Sequence, residues 1–229
     1  MKKLNTVIAV VLFSIVFTSC SSDAILLEEQ QSNELLTTYQ LKRDASGAYS
    51  IDLNVGSNVV VDQIKNTEES TNELYLSESI GKVAQKISVN SDLRFENENF
   101  KIKFINENET KTPSITVYDD NIKFSKKSGD NSSFLNEYSI SKNEDGTFDL
   151  SFNVDAKVTV DFVYNEELST HEIHLEEGNS KDSNFSRTIE KEEGELLKID
   201  FVSHTNNANA KAAAAIRKPR VIVDDGEED

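Results

Sequence analysis

The chain has 229 residues, 41 of them acidic and 24 basic, for a formal charge of −17. Such a surface repels nucleic acid and anionic lipid headgroups, so neither is an expected partner. One cysteine, two prolines, eight glycines and no tryptophan leave no internal disulfide and disfavour sugar binding on large aromatic faces, a role that six tyrosines can still take.

Lys2 and Lys3 precede an apolar run over residues 4–17, followed by Thr18, Ser19 and Cys20. A basic start, an apolar stretch of this length and small residues before a cysteine read as a secretory signal peptide and not as a spanning helix. Phe17-Thr18-Ser19-Cys20 resembles the lipobox of bacterial lipoproteins, departing from it at Phe17, where leucine is usual. The resemblance implies cleavage before Cys20, lipid attachment at Cys20 and a mature protein tethered to a membrane by acyl chains. The alternative is an ordinary cleaved signal with an incidental cysteine. Ser21, in place of aspartate, implies the outer membrane under the sorting rule of such lipoproteins. Asp23, Glu28 and Glu29 resemble the surface-export signals of some of them. Residues 1–19 are then the signal peptide and 20–34 a tether. Lipidation uses the lone thiol, so no cysteine ligand or nucleophile remains and no cofactor is expected.

The rest of the chain is a duplication. Sliding the sequence by 99 residues aligns 39–78 with 138–177 without a gap, and 14 of those 40 positions are identical, among them Tyr39/Tyr138, Gly47/Gly146, Asp62/Asp161, Asn66/Asn165 and Glu73/Glu172. A small shift then pairs Phe100, Ile102 and Phe104 with Leu197, Ile199 and Phe201. The only two prolines, Pro113 and Pro219, also coincide. A period near 100 residues is too long for a solenoid unit and suits a duplicated domain, here 35–128 and 129–229.

Taken in chain order, the elements are strands. Tyr49, Ile51, Leu53 and Val55 alternate with polar residues, as do Val59 and Val61, Leu74 and Leu76, Phe100, Ile102 and Phe104, and then Ile122 and Phe124. Repeat 2 does the same at Phe148, Leu150, Phe152 and Val154, Val158, Val160 and Phe162, Ile173 and Leu175, and Leu197, Ile199 and Phe201. Period two with one apolar face means half-buried strands. Ser46-Gly47, Asp145-Gly146 and Asp119-Asp120-Asn121 suit tight turns, and 66–71 and 165–170 make longer hairpin loops. The fold expected is all-β, with two tandem antiparallel β-sandwich domains from an internal duplication. A single closed barrel built from both halves is the alternative.

The repeated loop Asn-x-Glu-x-Ser-Thr-x-Glu supplies candidate Ca²⁺ ligands: Asn66, Glu68, Thr71 and Glu73, with Asn165, Glu167, Thr170 and Glu172. The competing account is a hairpin loop whose side chains bond their own backbone, copied by the duplication. The spacing matches no twelve-residue calcium loop, which favours that account and an expectation of no metal. His171-Glu-Ile-His174 has the look of a metal pair, but residues three apart on a strand face opposite ways. No Gly-x-Ser-x-Gly, His-Glu-x-x-His or phosphate-cradling glycine loop occurs in the sequence. Carboxylate pairs among 41 acidic residues carry no specificity for hydrolysis.

Two further segments differ between the repeats. An Ala-rich insertion over 205–216 leads to the basic patch Arg217-Lys218-Pro219-Arg220, and repeat 2 ends in an acidic tail where repeat 1 continues. If the repeats share a fold, repeat 2 lacks a last strand and exposes an edge; the competing account is a permuted repeat boundary with nothing missing. The expected function is that of a non-enzymatic, outer-membrane lipoprotein acting in binding, adhesion or assembly. Its partners would be the membrane, through the lipid, and an envelope protein. Capture of a soluble glycan or Ca²⁺ is the alternative.

Overall fold

Among the described residues the chain forms fourteen strands, seven in each repeat. A computed structural model describes residues 35–79, 86–89, 92–95, 99–106, 110–119, 134–192, 194–204 and 215–226. The signal peptide, the tether, Cys20, Ile122 and Phe124, most of the Ala-rich insertion and the last acidic residues lie outside them. Repeat 1 carries β1 (Leu36–Arg43), β2 (Tyr49–Val55), β3 (Val59–Asn66), β4 (Thr71–Glu78), β5 (Lys86–Val89), β6 (Asn99–Asn106) and β7 (Ser114–Tyr118). Repeat 2 carries β8 (Leu135–Lys142), β9 (Phe148–Val154), β10 (Val158–Asn165), β11 (Thr170–Glu177), β12 (Asn184–Ile189), β13 (Leu197–His204) and β14 (Ala215–Asp224).

The turns behave as their chemistry requires. Gly47 and Gly146 close the β1–β2 and β8–β9 connections at φ of +89° and +83°, a left-handed conformation open to glycine. Each donates its N–H back to the start of the turn, Gly47 to Asp44 and Gly146 to Asn143.

Both repeats contribute to both sheets. The six-stranded sheet runs β12-β9-β8-β1-β2-β5 and the eight-stranded sheet β10-β11-β13-β14-β7-β6-β4-β3. Read outward from the centre, each half of a sheet repeats the other's order. The seams are the antiparallel pairs β1–β8 and β14–β7. The fold is therefore all-β as expected, while the expected division into two sandwiches is replaced by one body, compact over Glu34–Asp229. The physical reason is the strand edge. A lone repeat would leave β1 and β7 with unpaired N–H and C=O groups, and joining the repeats turns both strands into central ones. The same pairing corrects the expectation about repeat 2, because its terminal strand β14 is bonded on both sides and exposes no edge. The alternative of one closed barrel is also not met, since β12, β5, β10 and β3 remain as edges.

The ladders are not all antiparallel. β4–β6 and β11–β13 are parallel, because β5 and β12 carry the chain across to the other sheet before it returns. The registers reproduce the sequence alignment: Ile102 lies opposite Ile115, and Ile199 opposite Val221, as the coincident prolines require.

The core fills the space between the sheets. Leu41, Ile51, Leu74, Ile102, Val117, Leu150, Leu175, Ile199, Phe201 and Val221 are fully buried, and burying one such side chain contributes about 1.5–3 kcal/mol. Aromatic pairs bridge the layers: Tyr39 on Phe104 at 5.2 Å between centroids, Tyr49 on Phe100 at 4.9 Å, and Phe152 on Phe201 at 5.4 Å.

Candidate functional site

The candidate calcium loops bond to themselves. The Asn66 and Asn165 Oδ1 atoms accept the N–H groups of Glu69 and Leu168, three residues on. The Thr71 and Thr170 hydroxyls donate to the carbonyls of Glu69 and Leu168. Ser70 and Ser169 take positive φ values of 51° and 47°, completing the same turn twice. Glu68 and Glu167 point to solvent. Glu73 accepts the Tyr75 hydroxyl. The structure therefore does not gather Asn66, Glu68 and Glu73, or Asn165, Glu167 and Glu172, around a common point. Among the described residues no group of three or more His, Cys, Asp or Glu side chains is placed to hold a metal.

Glu172 belongs to a different cluster, on the outer face of the eight-stranded sheet. It is buried, and its carboxylate accepts hydrogen bonds from Arg217, from Asn165 Nδ2 at 2.9 Å and from His174 Nε2 at 2.9 Å. Burial alone would raise its pKa, but the bonds from Arg217, Asn165 and His174 outweigh this and hold it below the usual glutamate value. Because the carboxylate takes the Nε2 proton of His174, the neutral ring presents Nδ1 as an acceptor. His204 Nε2 lies 2.8 Å from it, and in that tautomer His204 donates to His174 and His174 to Glu172. The ring planes differ by only 14°, which suits an in-plane N–H···N contact. Beside this chain, Arg220 makes two 2.6 Å bonds to the buried carboxylate of Asp200. His171 and His174 do face opposite ways: His171 pairs with the Tyr164 ring on the inner side, where burial and then the Arg187 charge lower its pKa.

At the seam between the repeats lies a buried charge. Asp119 Oδ2 accepts Arg43 Nε at 2.9 Å, the Tyr49 hydroxyl at 2.8 Å and Arg94 Nη2 at 2.7 Å. Since Tyr49 gives its proton to Asp119, the Tyr138 hydroxyl donates to Tyr49 at 3.0 Å. Burial, followed by the neighbouring Tyr138 and Asp119, pushes the Tyr49 phenol well above its ordinary pKa, and burial raises Tyr138 as well. Repeat 2 has a counterpart, in which Lys191 donates to Asp225. Tyr39 and Lys142 line a cavity of about 210 Å³ with Asp225, and burial followed by the Asp225 charge raises the Tyr39 phenol. Tyr138 thus serves the repeat 1 site and Tyr39 the repeat 2 site. Asp119, read from sequence as part of a turn, is instead fully buried. The signal was available, because extending the aligned prolines six residues onward pairs Asp119 with Asp225.

A concavity of about 510 Å³ lies on the outer face of the six-stranded sheet. Strand register places Ser186, Ser151, Ser139, Lys42 and Ser50 in one row across five strands. Asn184, Asn153 and Glu137 form the next row, with Asn153 Nδ2 bonded to Asn184 Oδ1 at 2.8 Å. Short side chains in both rows leave the backbone between them as the floor. Lys42 is held at 2.5 Å by Asp52, and the trough offers hydroxyls and amides beside the carboxylates of Glu137 and Asp44. Compared with known protein families, with curated proteins and with solved structures, the chain matches none.

Proposed function

We propose that this protein is a lipid-anchored lipoprotein of a bacterial cell envelope, tethered to the outer membrane through Cys20 and acting as a non-catalytic binding or assembly module. The anchor is supported by the order Lys2-Lys3, apolar run, small residues, Cys20. The module is supported by one observation above the others: two repeats share both sheets, giving one rigid scaffold on which side chains have diverged between equivalent positions. A scaffold of this kind holds outer-face residues in fixed register and leaves them free to vary.

The test is affinity purification of the full-length protein from its native membrane after mild crosslinking, beside a Cys20→Ser variant. Membrane fractionation and fatty-acid labelling that are lost in the variant, with loss of a specific crosslinked partner, support the proposal. Equal membrane association of both forms would remove the lipid anchor from it. A protein that crosslinks to nothing would favour a second reading, capture of a soluble glycan, for which the trough lined by hydroxyls, amides and the Glu137 carboxylate is the observation.

A further inference from the structure

One corner of the fold is closed in repeat 1 and open in repeat 2. In repeat 1 the β3–β4 hairpin is tied to segment 92–95. Lys65 Nζ donates to the carbonyls of Asp92 at 3.3 Å and Arg94 at 2.7 Å, and lies 4.6 Å from the Phe95 ring centroid. Asn72 Nδ2 donates to the Leu93 carbonyl at 2.8 Å. Ninety-nine residues later Lys65 is replaced by Tyr164, Asn72 by His171 and Glu69 by Leu168. In the register that aligns β6 with β13, Asn99 becomes Leu196. Among the described residues no hydrogen bond ties Tyr164 or His171 to segment 190–192.

A cleft of about 370 Å³ results, lined by Tyr164, His171 and Leu196 and rimmed by Glu190, Glu192 and Glu195. The Tyr164 and His171 rings are 4.9 Å apart. Tyr164, Leu168 and Leu196 are 52%, 47% and 44% exposed, three of the six large apolar side chains that stand exposed among the described residues. The lone cation on the lining, Lys191, is already engaged by Asp225. Four polar positions have thus become apolar or aromatic around this place, and three carboxylates, Glu190, Glu192 and Glu195, rim it. The cations nearby are Arg187, whose charge reaches His171, and Lys198, which donates to the Leu168 carbonyl at 3.4 Å. Apolar surface beside carboxylates complements side chains with an apolar stem and a cationic head, which also gain attraction to an aromatic face.

We propose that this cleft receives a basic, amphipathic segment of a partner protein, its lysine or arginine stems lying on Tyr164 and Leu196 and its charged heads meeting Glu190, Glu192 and Glu195. This rests on the assembly reading above and names the chemistry of the partner.

The experiment uses full-length protein in detergent and a fluorescent peptide of alternating lysine and leucine, read by anisotropy at low ionic strength. A glutamate–leucine peptide of equal length is the control. Two variants alter the cleft: Tyr164→Lys with Leu196→Asn, which restores repeat 1 residues, and Glu190→Gln with Glu192→Gln and Glu195→Gln. A third, Asp62→Asn with Glu68→Gln and Glu78→Gln, removes the same charge from the exposed β3–β4 hairpin of repeat 1. Saturable binding of the basic peptide, weakened about tenfold or more by each cleft variant and unchanged by the third, is expected. No saturable binding, an unaffected Tyr164→Lys/Leu196→Asn variant, or equal loss in both charge variants would overturn the cleft. Repeating the membrane crosslinking with the Tyr164→Lys/Leu196→Asn variant separates the two ideas. A partner retained there sinks the cleft alone, whereas a wild-type protein without any partner sinks the assembly reading.

Discussion

Tyr138 of repeat 2 donates its hydroxyl proton to Tyr49 of repeat 1 across 3.0 Å, and Tyr49 passes its own to Asp119, so one buried carboxylate joins both halves of the molecule. That carboxylate also neutralises Arg43, whose side chain is 1% exposed. Removing one partner of such a pair strands the other in a low-dielectric interior, a cost of about 3–5 kcal/mol. Asp119→Ala should therefore lower the urea midpoint by that equivalent. Asp225→Ala should cost clearly less, because it strands one cation, Lys191, where Asp119 holds both Arg43 and Arg94, and because its carboxylate is 29% exposed where that of Asp119 is fully buried. Equal effects of the two substitutions would show that burial at the seam does not set the cost.

Sharing both sheets has a consequence for cooperativity. Each half ends at two strands, β1 and β7 or β8 and β14, whose outer side is paired only by the other half. Neither half can open without exposing those edges, so the full body should unfold in one transition with equal calorimetric and van't Hoff enthalpies. Residues 35–128 expressed alone should lack cooperative unfolding. Two separated transitions in the intact chain, each reproduced by an isolated repeat, would contradict the shared-sheet architecture.

Strands such as β2, β6 and β9 were legible because apolar and polar residues alternate along them, whereas β5 is too short to show such a signal and β12 does not alternate. The duplication was legible because the first four strands of each repeat keep a constant offset. What escaped the sequence was the partner of each edge. Tyr39 and Tyr138 look like ordinary inward strand residues, and nothing in their local pattern says that β1 will pair with β8. The same holds for the outer-face cluster. His174 and His204 are 30 residues apart and meet only because β11 and β13 run parallel in a particular register. Hairpin loops, by contrast, depend on neighbours a few residues away, so the self-bonding of Asn66 and Asn165 could be weighed correctly from their own motif. Long-range pairing decides where chemistry gathers, and it is the part that local periodicity does not encode.

Two glycines separate conformational strain from steric exclusion. Gly146 and Gly226 have φ of +83° and +73°, so alanine at either position pays for a left-handed backbone, about 1–2 kcal/mol. A Cβ at Gly146 would have nothing within 4 Å, whereas one at Gly226 would sit 2.7 Å from the backbone of Thr112. Gly226→Ala should therefore destabilise more than Gly146→Ala in thermal or urea unfolding. Equal losses would mean that the chain near Thr112 yields freely.

Glu172 gives a pH dependence whose sign follows from its shift. Its folded pKa is depressed by the bonds from Arg217, Asn165 and His174, which outweigh the opposing effect of burial. A depressed carboxylate stabilises the fold fully above its unfolded pKa of about 4.3, and that contribution is lost as the pH falls through the lower folded value. Arg217 is 43% exposed, so solvent screening holds the contribution to the order of 1 kcal/mol. Glu172→Gln should be less stable than the parent at pH 7, with the gap narrowing below about pH 4 as the parent's carboxylate becomes protonated. Urea midpoints measured across this range test it. A gap that stays constant down to pH 2.5 would mean that the side chain's shape, and not its charge, is what Arg217 and His174 require.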